Sequence, residues 1–173
     1  MPRIMVVGPC GSGKSTFARR LGDLLRVPVI HMDQFQWRPG WAMTPRPAYD
    51  AAMRKRLATG DWILDGNTGK PEVHRAADTI VFLDMQRWLC MWRVIKRVAT
   101  YAGQVRPDMA EGCPERIDWE FFEYVWNYHD VMRPKLIKRL EALGRGKRHV
   151  VLRSPDEVEA FFEATAAERA CGG

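Results

Sequence analysis

No apolar run in this 173-residue chain approaches the ~18 residues needed to span a bilayer, so no membrane partner is expected. Pro2-Arg3 leads directly into Ile4-Met5-Val6-Val7, with no separate apolar segment and cleavage site. No secretory leader is therefore expected, and cytoplasmic residence is. Cysteine is sparse: Cys10, Cys90, Cys113 and Cys171 are scattered and form no Cys-x-x-Cys pair. That excludes a disulfide framework and a structural zinc site, and leaves reduced thiols as the expectation. The four histidines show no metal-ligand spacing. Acidic residues are missing from one stretch altogether. Between Met85 and Pro107 there is no Asp or Glu, although Arg87, Arg93, Lys96, Arg97 and Arg106 all fall there.

What is present is ordinary for a globular protein, with 46% hydrophobic and 28% charged residues, and the length suits one domain over residues 1–173. A net charge of +6 points to anionic partners without separating nucleotides from nucleic acid. A second basic cluster, Arg133, Lys135, Lys138, Arg139, Arg145, Lys147 and Arg148, is spread around a helix and into a turn. It reads as a solvated surface more readily than as a nucleic-acid patch.

Short apolar runs alternate with longer amphipathic stretches, the pattern of an α/β protein with a mainly parallel sheet. Strands are predicted at Ile4–Val7, Val27–His31, Trp62–Asp65, Thr79–Leu83 and His149–Leu152. Helices are predicted from Gly13, over Ala48–Ala58, Gln86–Tyr101 and Trp119–Leu143, and from Pro155 with Ser154 as its N-cap. Pro134 should kink or divide the long helix. Gln34–Pro47 and Gly103–Glu115 fit no regular element and read as ordered functional loops. Trp88 and Trp92, four apart, are expected in the core, as is Trp62.

Gly8-Pro9-Cys10-Gly11-Ser12-Gly13-Lys14-Ser15 is a complete G-x-x-x-x-G-K-[ST] between a predicted strand and a predicted helix. In that context the loop cradles phosphate with its N–H groups, and the helix N-terminus adds positive potential. Pro9, Cys10, Gly11, Ser12, Gly13, Lys14, Ser15 and Thr16 are thus the expected nucleotide-binding residues. Lys14 would reach the β- and γ-phosphates of ATP, and the Ser15 hydroxyl would ligate Mg²⁺.

Gly8-Pro9-x-Gly11-x-Gly13-Lys14-x-Thr16 resembles the phosphate loop of adenylate kinases, and Trp62-Ile63-Leu64-Asp65-Gly66 resembles the apolar run and Asp-Gly that follow in them. Arg93 and Arg97 match the arginine pair leading into their lid. The chain is similar over nearly its whole length to bacterial DNA topology modulation proteins, themselves adenylate-kinase-related. That similarity lies in His31-Met32-Asp33, Trp37-Arg38-Pro39-Gly40-Trp41, Asp65-Gly66-Asn67, Arg106-Pro107-Asp108 and Gly112-Cys113-Pro114-Glu115. The resemblance implies a three-layer α/β/α P-loop NTPase fold of the nucleoside monophosphate kinase type. It would have a five-stranded mainly parallel sheet, an acceptor-side segment at 34–58 and a lid at 98–116. It departs at one point: Gly69 stands where adenylate kinases carry the arginine that holds AMP, and Lys70 comes one residue later.

Ligands of open α/β sheets sit beyond the carboxyl ends of the strands, where Asp33 and Asp65 both lie. The resemblance assigns Asp65 to the metal shell. Asp33 is either a general base or acceptor anchor, or a cap that orders the following loop. Asp84 reads as the cap of the Gln86 helix, and His31 as a strand histidine with a satisfied ring. Arg93 and Arg97 share a helical face and suit a phosphate clamp or a solvated basic face. By resemblance they contact ATP, Arg106 and Arg116 close over it, and Arg133 reaches in from the long helix. Trp37 and Trp41 either stack on an acceptor or pin their loop in a satellite core. With Asp33, Asp65 and Asn67 they make the expected acceptor site. The activity implied is transfer of the ATP γ-phosphoryl group to a small acceptor, a nucleotide among the candidates, by a monomer or homodimer. The alternative is a nucleotide-dependent DNA-binding regulator.

Overall fold

A computed structural model describes residues 2–58, 60–68, 70–115, 117–143 and 145–171. β1 (Arg3–Val7) leads into α1 (Lys14–Leu25), β2 (Val29–His31), α2 (Asp33–Gln36) and a hairpin of β3 (Trp37–Arg38) and β4 (Ala42–Met43). Then come α3 (Arg46–Leu57), β5 (Trp62–Asp65), α4 (Pro71–Ala76), β6 (Thr79–Leu83) and α5 (Arg87–Thr100). α6 (Trp119–Leu143), β7 (Arg148–Leu152) and α7 (Pro155–Cys171) complete the chain. Among the described residues no helix is long and apolar enough to cross a membrane.

Five strands form one sheet in the order β2-β5-β1-β6-β7, every pairing parallel. Alternation along the strands divides their side chains between two cores. Ile4, Val6, Ile63, Val81 and Leu83 pack with Phe17 and Leu21 of α1, Val94 of α5 and Phe162 of α7. Met5, Val7, Trp62, Leu64 and Ile80 pack on the opposite face with Met53 of α3 and Val73 of α4. The result is the three-layer α/β/α arrangement. Ser154 caps α7 as its sequence predicts, its Oγ accepting from Glu157 N at 3.1 Å.

Three sequence expectations are corrected. Pro134 does not divide α6, which continues through it as one helix of 25 residues. The missing donor costs roughly 3 kcal/mol. Val125 is buried in the first core and Leu136 and Leu140 in the second, at about 1.5–3 kcal/mol each, so packing on both sides holds the helix together. Trp88 and Trp92 are 64% and 60% exposed, while Cys90, Val94 and Val98 form the buried face of α5. The α5 backbone lies so close to the phosphate loop that a Cβ on Gly11 would come within 2.2 Å of the Cys90 carbonyl oxygen, so only glycine fits at position 11. The 34–47 segment is not irregular: it contains α2, the β3–β4 hairpin and a 3-10 turn at Pro39–Trp41. Elements of two to four residues lie below the reach of hydrophobic periodicity.

Candidate active site

The loop from Gly8 to Gly13 joins the centre of the sheet to α1. Gly8 and Gly11 have φ of 151° and 81°, and a Cβ on Gly8 would fall 2.5 Å from the Leu83 carbonyl oxygen. Conformation and space both demand glycine at these positions. Lys14 folds back over the loop and donates to the Pro9 carbonyl at 2.8 Å. Ser12 Oγ is buried without a hydrogen-bond partner. An orphaned hydroxyl in a concavity of amides at a helix N-terminus, closed by a lysine, fits an anionic phosphate chain.

A cleft of about 1280 Å³ opens above this loop. Its lining includes Cys10–Thr16 of the loop and α1, Arg93 and Arg97 of α5, and Val158 of α7; beyond the ends of β2 and β5 it includes Asp33, Trp37, Trp41, Asp65, Asn67 and Arg106. Arg133 is not part of the lining. Arg116 and Gly69 lie outside the described residues.

Arg93 donates from Nη1 to the Ser12 carbonyl at 3.1 Å, which places its guanidinium on the phosphate loop. Arg97 is held differently. Its Nε and Nη2 donate to Glu115 Oε1 at 3.1 and 2.9 Å. Arg106 donates from Nη1 to Asp108 Oδ2 at 2.8 Å, and its Nε lies 2.8 Å from Glu115 Oε2. Glu115 is 6% exposed and bridges the two arginines. The acid-free stretch thus takes its counter-charges from just beyond its own end.

Arg133 donates twice to Asp84, at 2.7 Å each. The Asp84 carboxylate is therefore taken up by α6, and α5 begins at Gln86 without a side-chain cap, which corrects the capping role expected for Asp84. Arg139 and Lys147 of the second basic cluster likewise turn inward, onto the Thr68 carbonyl and onto those of Arg75 and Ala77.

β2 and β5 pair His31 with Asp65, and the ring Nδ1 lies 2.7 Å from Asp65 Oδ2. Both residues are buried. Asp33, at the start of α2, makes no cap hydrogen bond. Its carboxylate is open to water in the cleft but otherwise enclosed by protein, and that desolvation pushes its pKa up. Lys14 pulls the other way; Asp65 pushes up, Arg106 pulls down, and Asp108 pushes up again.

Asn67, expected on the acceptor, has its amide engaged elsewhere: Gly8 N donates to Oδ1 at 3.0 Å and Nδ2 donates to the Gly8 carbonyl at 2.8 Å. No local spacing signals this contact across 59 positions. The buried Tyr128 phenol, raised above its ordinary range by desolvation, also bonds Asn67.

The hairpin and the 103–115 segment are docked on each other. Trp37 and Trp41 meet edge to face with centroids 5.6 Å apart and pack on Met109, Ala110 and Cys113. Gly40 N donates to Gly112 O at 2.8 Å, Trp41 Nε1 to Pro114 O at 3.1 Å and Gln34 Nε2 to Pro107 O at 3.1 Å. The two tryptophans form a satellite core and line the cleft at once.

Among the described residues no three His, Cys, Asp or Glu side chains cluster to hold a metal. Ser15 and Asp65 on the cleft wall are oxygen donors of the kind that suits Mg²⁺, which is commonly held by one or two protein ligands and phosphate oxygens.

No family model matches the sequence, and no curated protein does. Solved structures do. A gluconokinase from Sinorhizobium meliloti 1021 is similar with a TM-score of 0.51 at 19% identity, over 96% of this chain and 90% of that one. A shikimate kinase from Bacteroides thetaiotaomicron is similar with a TM-score of 0.52 at 13% identity, over 98% of both chains. The chain has the α/β fold of small P-loop kinases, with the sheet order of the nucleoside monophosphate kinase type.

Proposed function

We propose that this chain is a Mg²⁺- and ATP-dependent phosphotransferase that passes the γ-phosphoryl group to a small acceptor in the cleft. The observation that carries the reading is the glycine-built loop, with its orphaned Ser12 hydroxyl and its lysine, facing two strand-end carboxylates across one cleft. Residues 1–173 would act as one kinase-like unit, with 34–58 on the acceptor side and 98–116 as the lid.

In this reading the amides of Pro9–Thr16 and the Lys14 ammonium hold the triphosphate, and Arg93 steadies the transferring group. Ser15 and Asp65 would hold Mg²⁺, which supplies charge neutralisation between the phosphates when bound. Arg97 and Arg106 reach phosphate only by exchanging Glu115 for it. Arg133 acts at a distance, by fixing Asp84 behind the loop. Asp33 faces the acceptor and takes its proton if that acceptor is a hydroxyl. The docked hairpin and lid exclude water, which limits wasteful hydrolysis.

The DNA-binding alternative draws on the net charge of +6 and on the resemblance to topology modulation proteins. Arg133, Arg139 and Lys147, three members of the cluster it would use, are bound to the protein's own groups. Titrating ATP into the wild type and into Lys14→Ala, with and without Mg²⁺, tests the main reading: tight Mg²⁺-assisted binding lost in the variant supports it, and equal binding by both removes it.

A further inference from the structure

We infer that the acceptor is an alcohol carrying no phosphate or carboxylate of its own, neutral or cationic, with a ring or apolar face that lies on Trp37 and Trp41. The inference rests on the phosphotransferase reading and names the substrate class of the same cleft.

The charge census of the acceptor side carries it. Asp33, Asp65, Asp108 and Glu115 line the cleft around this end, against the guanidiniums of Arg97 and Arg106. Both arginines are already committed to Glu115, and Arg106 to Asp108 as well. Asp65 faces His31. Asp33 takes part in no ion pair or side-chain hydrogen bond among the described residues. Lys70, next to the position where adenylate kinases carry their acceptor arginine, is bound to Asp50, is only 12% exposed and does not line the cleft. Lys14 and Arg93 sit on the phosphate loop, where the donor's triphosphate goes. An acceptor with its own phosphate would thus meet Asp33 and Asp108 with no uncommitted cation among the cleft-lining residues on its side, and two like charges in one site disfavour each other. A neutral or cationic acceptor meets no such opposition, and a cation gains from both the carboxylates and the tryptophan faces.

The aromatic wall argues for the rest of the description. Trp37 and Trp41 are anchored by packing on Met109, Ala110 and Cys113, and Trp41 also by its bond to Pro114, and both line the cleft. Rigid indole faces with few hydrogen-bonding atoms select an apolar or ring surface over a charged headgroup. The reaction then has a complete proton path. The acceptor oxygen bonds to the γ-phosphorus while the bond from that phosphorus to the β–γ bridging oxygen breaks. ADP leaves with the electron pair, and the hydroxyl proton passes to the Asp33 carboxylate.

The test compares the affinities of Mg²⁺-ATP and of diadenosine pentaphosphate, which carries a nucleoside monophosphate into the acceptor side. Binding within about threefold of each other is expected, since the second half finds no home. Asp108→Asn removes one carboxylate from the acceptor side and one of the two that hold Arg106, so the pentaphosphate should tighten by about tenfold and ATP by much less. In parallel, ADP release is followed with anionic acceptors (nucleoside monophosphates, sugar acids) and with nucleosides, polyols and amino alcohols, the phosphorylated product being identified by mass. A product from the second group supports the inference. Pentaphosphate binding about 100-fold tighter than ATP in the wild type, no tightening in Asp108→Asn, or a product only from the anionic group would each overturn the acceptor class and leave the kinase reading standing. If neither nucleotide binds, the kinase reading itself falls. If no acceptor responds, the two binding comparisons decide.

Discussion

The side-chain amide of Asn67 holds both backbone polar groups of Gly8, accepting from its N–H at 3.0 Å and donating to its carbonyl at 2.8 Å. This ties the segment after β5, two residues past Asp65, to the first residue of the phosphate loop. The pair also satisfies two backbone groups that the strand ladder no longer serves.

Asn67→Asp keeps the acceptor for Gly8 N–H but sets a carboxylate against the Gly8 carbonyl. We expect a loss of about 1–3 kcal/mol in stability and weaker ATP binding, read by urea unfolding and calorimetry. Unchanged ATP affinity would show that the loop holds its shape without this contact.

Glu115 bridges Arg97 and Arg106 from a buried position. Removing one partner of such a network costs on the order of 3 kcal/mol, so Glu115→Ala should melt early. If phosphate oxygens can replace the carboxylate, saturating Mg²⁺-ATP should raise the melting temperature of Glu115→Ala more than that of the wild type. Equal increments would mean that the two arginines do not reach the nucleotide.

Asp33 has a raised carboxyl pKa, from desolvation first and then from Asp65 and Asp108, against Lys14 and Arg106. The folded protein therefore holds this proton more tightly than the unfolded chain. Ionised Asp33 costs stability above the raised value, and the cost fades as pH falls toward the ordinary carboxylate range. Asp33→Asn should stabilise the protein at pH 7 to 8 and lose that advantage in acid. If Asp33 is the base, wild-type kcat/KM should fall as pH drops through the raised pKa, and residual activity in Asp33→Asn should lack that limb. A variant that retains the limb would place the base elsewhere.

Trp88→Ser and Trp92→Ser should change unfolding free energy by no more than about 0.5 kcal/mol, because both rings face water. Trp62→Ala, at a fully buried position, should cost about 3–5 kcal/mol. Urea titrations distinguish the two cases directly.

The five sheet strands were legible to within two residues, because each holds a short apolar run bounded by breakers: β1, β5 and β6 are buried on both faces, and the edge strand β7 keeps only Val150-Val151-Leu152 of that signal. The phosphate loop was legible because its glycines answer to local conformation. The contacts that decide how the site is wired were not, since they join positions far apart in sequence: Arg133 with Asp84, Arg97 with Glu115, Asn67 with Gly8. The i, i+4 spacing of Trp88 and Trp92 pointed to the wrong face of α5: Cys90, Val94 and Val98 are the buried side, and the backbone of Cys90 lies against Gly11. α4 and the β3–β4 hairpin escaped because one or two turns, or two residues a strand, carry no period to read.

Product analysis of Mg²⁺-ATP turnover with pooled small acceptors, wild type beside a folded Lys14→Ala, decides whether the chain is a phosphotransferase. ADP is expected in equal amount to one phosphorylated acceptor, falling by about 100-fold or more in the variant. Wild-type turnover by Lys14→Ala, or ADP release that responds to duplex DNA and to no small acceptor, would contradict it.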